Sequence, residues 1–180
     1  AAVQPADPSV LQRVDEQLAA WETDSSFWEA LVHAALAREA GYPSTLRQLA
    51  MIRFKNGITK YWVPRIGIRK FVVIELDAKE RIRQRLLDVL TEPDRVVATQ
   101  GALSVARIMR HDYPDEWPTI VPALQAAFES SSTALHEAAV QGRLAESTTD
   151  TVVLLRAADT LRFSVKDRDR VRSKAARLRP

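Results

Sequence analysis

The sequence contains no cysteine, and its five glycines are scattered singly over 180 residues. The absence of cysteine excludes a disulfide framework and a thiolate zinc site. The absence of clustered glycines excludes a glycine-rich loop of the kind that holds phosphate groups. No apolar run approaches the ~20 residues that a helix needs to span a bilayer, and the N-terminus has no basic-then-apolar leader pattern. We therefore expect a soluble intracellular protein.

Histidine is also scarce, with three copies in the chain. His136-Glu137 begins like a zinc-protease motif, but Val140 stands where the second histidine would be. His111-Asp112 resembles the metal-binding pair of helical phosphohydrolases, although the prolines that follow favour a turn with Asp112 as its cap. His33 with Asp150 or Asp159 could complete this pair only by coincidence of the fold. We therefore expect no enzyme activity, no metal site and no cofactor.

The positive charge is concentrated at one end of the sequence. Residues 162–180 contain eight lysines and arginines and two aspartates, whereas the whole chain has a net charge of +3. The tail therefore carries +6 and the rest of the chain −3. A basic tail can bind nucleic acid or an acidic protein, but a charge run is more often a solvated helix face, which is the simpler interpretation.

The most informative stretch is Ser44 to Trp62. Apolar residues recur there at three- and four-residue spacing, which predicts a helix with one buried face, formed by Leu46, Ala50, Phe54, Gly57, Ile58 and Tyr61. The opposite side carries polar groups together with an isoleucine and a tryptophan, in the order Gln48, Ile52, Lys55, Thr59 and Trp62. Apolar groups on an open helix face favour binding of a partner protein. The alternative is a helix inside a stack with both faces buried.

The dipeptide Asn56-Gly57 interrupts this stretch. It is a strong hairpin signal, and glycine costs a helix interior roughly 1 kcal/mol. The residues on both sides keep the helical period and show no alternation. We therefore predict a continuous helix over 44–62.

A second stretch repeats this pattern at 94–112, where Pro93-Asp94 begins a helix. Its predicted packed face consists of Ala98, Gly101, Ala102, Val105 and Met109. The opposite stripe again mixes apolar and basic residues, namely Val96, Gln100, Leu103, Arg107 and Arg110.

The remaining segments also favour helices. We predict a helix over 8–22 whose buried face is Leu11, Val14, Leu18 and Trp21. Further helices are expected at 25–39, at 77–91 with Asp77 as its cap, at 117–128 with Phe128 on the buried face, and at 148–165, with a weak helix at 133–146. Residues 63–76 are expected to form a long loop, and Ser130-Ser131-Ser132 a linker.

These helices form consecutive pairs joined by short turns. The packed faces near residues 18, 57 and 105 superpose at offsets of about 40 and 48 residues, which is typical of HEAT or armadillo repeats. We predict an all-α fold, an α-solenoid of HEAT-like antiparallel helix pairs. The alternative architecture is a bundle of four or more helices.

Several motifs together resemble the N-terminal domain of the importin-β (karyopherin-β) superfamily, and most closely its importin eleven branch. They occur in order over residues 8–128: Glu16-Gln17-Leu18 with Trp21-Glu22, Leu46-Arg47-Gln48-Leu49-Ala50, Phe54-Lys55-Asn56-Gly57-Ile58 with Tyr61-Trp62, Lys79-Glu80-Arg81-Ile82-Arg83, Ala98-Thr99-Gln100, Ala106-Arg107-Ile108 and Asp112-Tyr113-Pro114 with Glu116-Trp117-Pro118. The 63–76 loop is longer than the family pattern, and beyond residue 130 the resemblance fades. We therefore divide the chain into importin-β N-terminal HEAT repeats at 1–130 and a linker, a further repeat helix and a basic tail at 131–180.

The resemblance implies a nuclear transport receptor that shuttles between cytoplasm and nucleus through the nuclear pore. In that superfamily, the second helix of each early repeat lines a concave surface that binds the small GTPase Ran in its GTP form, and this releases import cargo. The resemblance places the helices 8–22, 44–62, 94–112 and 148–165 on that surface. The residues expected to contact Ran are Gln48, Lys55, Asn56, Thr59, Gln100, Leu103, Arg107 and Arg110.

Cargo and nucleoporins would bind repeats outside this stretch of sequence, and we expect a monomer that binds neither membranes nor nucleic acid. The alternatives are an export receptor or a HEAT-repeat scaffold of the same superfamily. A nucleic-acid-binding helical repeat is less favoured, because no aromatic residues alternate with the basic ones to stack on bases.

Overall fold

A computed structural model describes residues 7–63, 74–141, 152–153 and 155–166. The described chain is all-α. Its helices are α1 (Pro8–Trp21), α2 (Ser25–Leu36), α3 (Ser44–Tyr61), α4 (Leu76–Leu86), α5 (Arg95–Asp112) and α6 (Ile120–Val140), with 3-10 turns at Arg38–Ala40 and Leu87–Thr91. Residues 155–166 form a C-terminal helical segment. No strand occurs within the described ranges, and α3 continues through Asn56-Gly57, as predicted.

Aspartate side chains begin three of the helices. The side chains of Asp7, Asp24 and Asp94 accept hydrogen bonds from backbone N–H groups of α1, α2 and α5 respectively, which satisfies donors that have no partner within the helix. The expectation for α4 is wrong, because this helix begins at Leu76 with Glu75 in the cap position and Asp77 inside the first turn.

The four central helices form two antiparallel hairpins. The first joins α2 to α3: Arg47, early in α3, donates to the carbonyl of Ala35, late in α2, at 2.9 Å. Toward the other end of this hairpin Gly57 lies so close to the Trp28 ring that a Cβ atom would overlap it. The second joins α4 to α5, and Gly101 packs in the same manner on Val89. Glycine is therefore placed where helices approach closely, and this close packing outweighs its low helix propensity.

The two hairpins stack in parallel at an offset of 50 residues. Four hydrogen bonds join residues with this separation, in the pairs Ser25 and Glu75, Arg38 and Asp88, Ser44 and Asp94, and Trp62 and Asp112. Helix α2 consequently lies against α4, and α3 against α5. The repeat and its two-layered arrangement confirm the predicted HEAT-like solenoid, with an offset close to the expected 48 residues.

The buried side chains between the layers form one continuous core that includes Trp28, Met51, Phe54, Trp62, Ile82, Leu86, Ile108 and Leu124. Two predictions for α3 are wrong: Trp62 is fully buried instead of open, and Leu46 is 46% exposed instead of buried. The buried face predicted for α1 is also wrong at two positions, since Val14 and Trp21 are about half exposed. Helix α1 is held instead by Glu22, which accepts from Arg53 at 2.7 Å and from the Tyr61 hydroxyl.

The second half of the chain adds to the same stack. The linker predicted at Ser130–Ser132 is wrong, because α6 runs continuously through these serines, and Phe128 is 41% exposed. The C-terminal helical segment packs near α5, where the Ser164 hydroxyl lies 3.4 Å from the Met109 sulfur. Most of the predicted 63–76 loop, the start of the helix predicted at 148 and the basic tail beyond 166 lie outside the described residues.

None of the described helices combines the length with the apolar character that a bilayer-spanning segment requires.

Candidate protein-binding surface

The eight predicted contact residues lie on two neighbouring helices, and none of them is buried. Asn56 and Thr59 are exposed, while the other six are partly exposed. We call this surface the α3–α5 wall, defined by Gln48, Lys55, Asn56, Thr59, Gln100, Leu103, Arg107 and Arg110. The wall also carries Ile52, which is partly exposed, and Val96, which is 39% exposed.

Three of the eight residues meet at the centre of the wall. The Lys55 ammonium group donates to the Gln100 side-chain oxygen at 2.7 Å. The Arg107 guanidinium donates to the backbone carbonyl of Lys55, also at 2.7 Å. Both bonds cross from one helix to the other, so they fix the two cations relative to each other.

The electrostatic environment of Lys55 is unfavourable to its charge. Partial burial and, to a smaller extent, the positive charge of Arg107 lower the pKa of the Lys55 ammonium group. Neither cation has a carboxylate partner among the described residues, since the hydrogen-bond acceptors of both are neutral oxygens. The centre of the wall is therefore a site of uncompensated positive charge.

Gln48 has a different role at the amino end of α3. Its amide donates to Asp94 at 3.0 Å and to the Ser44 hydroxyl at 3.0 Å. Partial burial opposes ionisation of Asp94, but hydrogen bonds from Ser44, from the backbone of Val97, and from Gln48 outweigh it and lower the pKa of Asp94 to about 2. Gln48 thus helps to join the two repeats.

The structure adds a buried ion cluster that the sequence patterns did not predict. Glu92 is fully buried and accepts hydrogen bonds from Arg47 and from Arg38, the latter at 3.2 Å. Its other oxygen accepts from the backbone N–H of Asp94 at 2.9 Å. A charged pair inside a protein needs such complete hydrogen bonding. The only sequence signal for this ion cluster is the repeat, because the stacking of the two hairpins brings residues 45 positions apart together.

A second buried cluster joins the carboxyl ends of α3 and α5. Asp112 accepts from the Trp62 ring nitrogen at 2.9 Å and from Arg83 at 3.1 Å. Burial raises the pKa of the Asp112 carboxyl, although Trp62 and Arg83 act in the opposite direction. Both carboxylate oxygens are engaged in these contacts, so Asp112 ties the two repeats together. This assignment replaces the predicted turn cap.

The described residues contain no group of three or more histidines, aspartates or glutamates close enough to hold a metal ion.

Fold and surface together define a helical-repeat protein with a mixed apolar and cationic wall, a composition suited to binding another protein.

Comparison with known proteins identifies the family. Residues 14–92 match the family model of the importin-beta N-terminal domain. The chain is 35% identical over 116 residues to importin beta-like protein KAP120 of Saccharomyces cerevisiae, and this match covers 64% of this chain and 11% of the relative. It is 32% identical over 120 residues to human importin-11, covering 66% of this chain and 12% of the relative. It is also 32% identical over 129 residues to importin subunit beta-5 of Saccharomyces cerevisiae, and this match covers 69% of this chain and 13% of the relative.

The chain therefore carries an importin-beta N-terminal domain and belongs to the importin-β superfamily. It spans only about one eighth of the length of these relatives. The resemblance inferred from the motifs in 8–128 is confirmed.

Proposed function

We propose that this chain is the N-terminal, Ran-binding portion of a nuclear transport receptor, and that the α3–α5 wall is its contact surface for Ran in the GTP form. The observation that carries the proposal is the conjunction of an importin-beta N-terminal domain with an accessible, uncompensated cationic centre at Lys55 and Arg107. Partly exposed apolar residues such as Leu103 provide area to bury around these charges.

In the complete protein, Ran binding would release import cargo held by repeats beyond this stretch of sequence, and the receptor would move between cytoplasm and nucleus through nucleoporin contacts. Import is the direction we propose, as in the names of the three relatives given above, and export is the alternative, since another similar protein is named importin-alpha re-exporter. The direction is tested with the complete receptor, because Ran-GTP weakens cargo binding by an import receptor and strengthens it in an export receptor.

The first experiment measures the affinity of this chain for Ran loaded with GTP or with GDP. We expect saturable binding of the GTP form and at least ten-fold weaker binding of the GDP form. The double substitution Lys55→Glu with Arg107→Glu should lower the affinity for the GTP form at least 100-fold, because it reverses the charge at the centre of the wall.

The matched control is Arg81→Glu. Arg81 is about half exposed on α4, in the layer away from the wall, and already pairs with Glu29 and Asp77. This variant should bind Ran as the unmodified chain does. Equal affinity for both nucleotide forms, or unchanged affinity in the wall variant, would contradict the proposal.

A further inference from the structure

The cations of the stacked hairpins divide into two kinds according to their partners. Arg47, Arg53, Arg81 and Arg83 each contact a carboxylate at 3.1 Å or less. Within the described residues, Lys55 and Arg107, at the centre of the α3–α5 wall, donate only to neutral oxygens. These two like charges lie on adjacent helices without a counterion among those residues, and this arrangement requires an explanation.

The two cations are also held in place before any partner binds. Lys55 is fixed by its bond to Gln100, and Arg107 by its bond to the Lys55 carbonyl. An ammonium group has three donors and a guanidinium five, and each side chain uses only one of them in these bonds. Both side chains are partly exposed, so solvent reaches them. An acceptor arriving from solvent therefore meets side chains that are already ordered, which lowers the entropic cost of binding.

An anion at this point would remove the energetic penalty of the pair. Partial burial and the neighbouring guanidinium disfavour the charged form of Lys55, and an anion within hydrogen-bond distance favours it. A carboxylate suits the site because its two oxygens can accept from the planar guanidinium and the ammonium group at once.

The surroundings favour a protein as the source of this anion. Ile52 and Leu103 are partly exposed along the two stripes, and Val96 is 39% exposed. Such apolar area matches the interior of a protein interface. The wall has no exposed aromatic ring among its described residues, since Trp62 is buried, so it offers no platform on which a nucleic-acid base could stack.

We propose that Lys55 and Arg107 form a receptor for a single aspartate or glutamate side chain of the docked protein, with Gln100 positioning the lysine. This inference rests on the proposed function and adds the chemistry of the partner's contact at one point. The partner presents an isolated carboxylate to the centre of the wall, and that carboxylate bridges α3 and α5.

A double-mutant cycle tests whether the two cations share one partner. Lys55→Met and Arg107→Met should each weaken binding of Ran-GTP about ten-fold, and the double variant should lose little more than about 20-fold. Independent contacts would give about 100-fold. Arg81→Met is the matched control, expected to bind within two-fold of the unmodified chain. Single variants that also bind within two-fold, or additive losses, would overturn the proposal.

Carbodiimide cross-linking provides a direct chemical readout, because it joins a lysine amine only to a carboxylate in contact with it. In the Ran-GTP complex, mass spectrometry should find Lys55 linked to an aspartate or glutamate of Ran. Lys55 unlinked in a saturated complex would contradict the proposal even if Ran binds.

A small probe separates this inference from the proposed function. In a titration with N-acetyl-Glu-Glu-amide followed by 15N NMR, the side-chain signals of Lys55 and Arg107 should shift saturably at millimolar concentrations, and the Lys55 shift should disappear in Arg107→Met. If Ran does not bind but the peptide does, the proposed function fails and the carboxylate receptor stands. If Ran binds but the peptide produces no shift, the receptor is wrong and the function stands.

Discussion

The ends and the centre of the contact between α3 and α5 use positive charge in different ways. At the ends, the buried arginines Arg47 and Arg83 are matched by Glu92 and Asp112, whose oxygens are fully hydrogen-bonded. At the centre, Lys55 and Arg107 have only neutral acceptors within the part of the chain that the structure describes. The Arg47–Glu92 pair links the two repeats directly, whereas Arg83 holds Asp112 within the second hairpin and Asp112 reaches the first through the Trp62 ring nitrogen. The central cations also join the two helices, but through hydrogen bonds to neutral oxygens that leave their charge available to a partner.

The largest expected effect concerns the buried ion pair between Arg47 and Glu92. Glu92→Ala leaves Arg47 without its buried counterion, and breaking such a pair costs about 3–5 kcal/mol. We expect urea unfolding to show a loss of this size in the free energy of unfolding. The control is Glu129→Ala on the exposed side of α6, with a change within about 0.5 kcal/mol.

The double variant Arg47→Met with Glu92→Leu then tests the cause. It removes both charges, so most of the loss should be recovered. A double variant as unstable as Glu92→Ala would show that lost packing, and not an unpaired charge, is responsible.

An intermediate effect is expected at Asp94, which joins the amino ends of the two helices. Its pKa of about 2 lies below the usual value of 3.8, so its ionised form stabilises the fold above about pH 4. This contribution disappears as the pH falls toward 2. Because Asp94 is partly solvated, screening reduces the contribution to about 1 kcal/mol.

Asp94→Asn keeps the helix cap and removes the charge. Its unfolding free energy should be about 1 kcal/mol below that of the unmodified chain at pH 7, and the two should converge between pH 4 and pH 2. A difference that is independent of pH would mean that the carboxylate charge does not matter.

The smallest expected effect concerns the two cations at the centre of the α3–α5 wall. Lys55→Met and Arg107→Met each remove one hydrogen bond between α3 and α5 but no ion pair among the described residues, so the free energy of unfolding should fall by only about 0.5 kcal/mol. Arg83→Met is the contrasting variant, since it leaves Asp112 buried without its ion pair and should cost about 3 kcal/mol. Thermal unfolding of the three variants in parallel measures these changes in the free energy of unfolding. Equal losses would remove the distinction between the two kinds of cation.

Periodicity predicted the helices well where a single stripe is buried. Helix α5 was expected over 94–112 and is found at Arg95–Asp112, and all five residues of its predicted packed face are buried. The helix through Asn56-Gly57 was also predicted correctly, although the sequence could not supply the reason, which is the Trp28 ring packed on Gly57.

The wrong assignments share one cause. Trp62 was placed on the open side and Arg47 received no role, yet both are buried because their partners, Asp112 and Glu92, arrive from the next repeat. Leu46 and Val14 were expected to be buried and are exposed. Helical spacing states which residues share a face, but it does not state which faces a neighbour covers.

The sequence by itself determined that this chain consists of paired helices repeating at offsets of about 40 and 48 residues, and that it belongs to the importin-β superfamily, because both follow from local patterns along the chain. Only the tertiary structure decided which charges are neutralised inside the molecule and which remain available. That distinction depends on contacts between residues 45 to 52 positions apart, and such pairings exist only once the two hairpins have stacked.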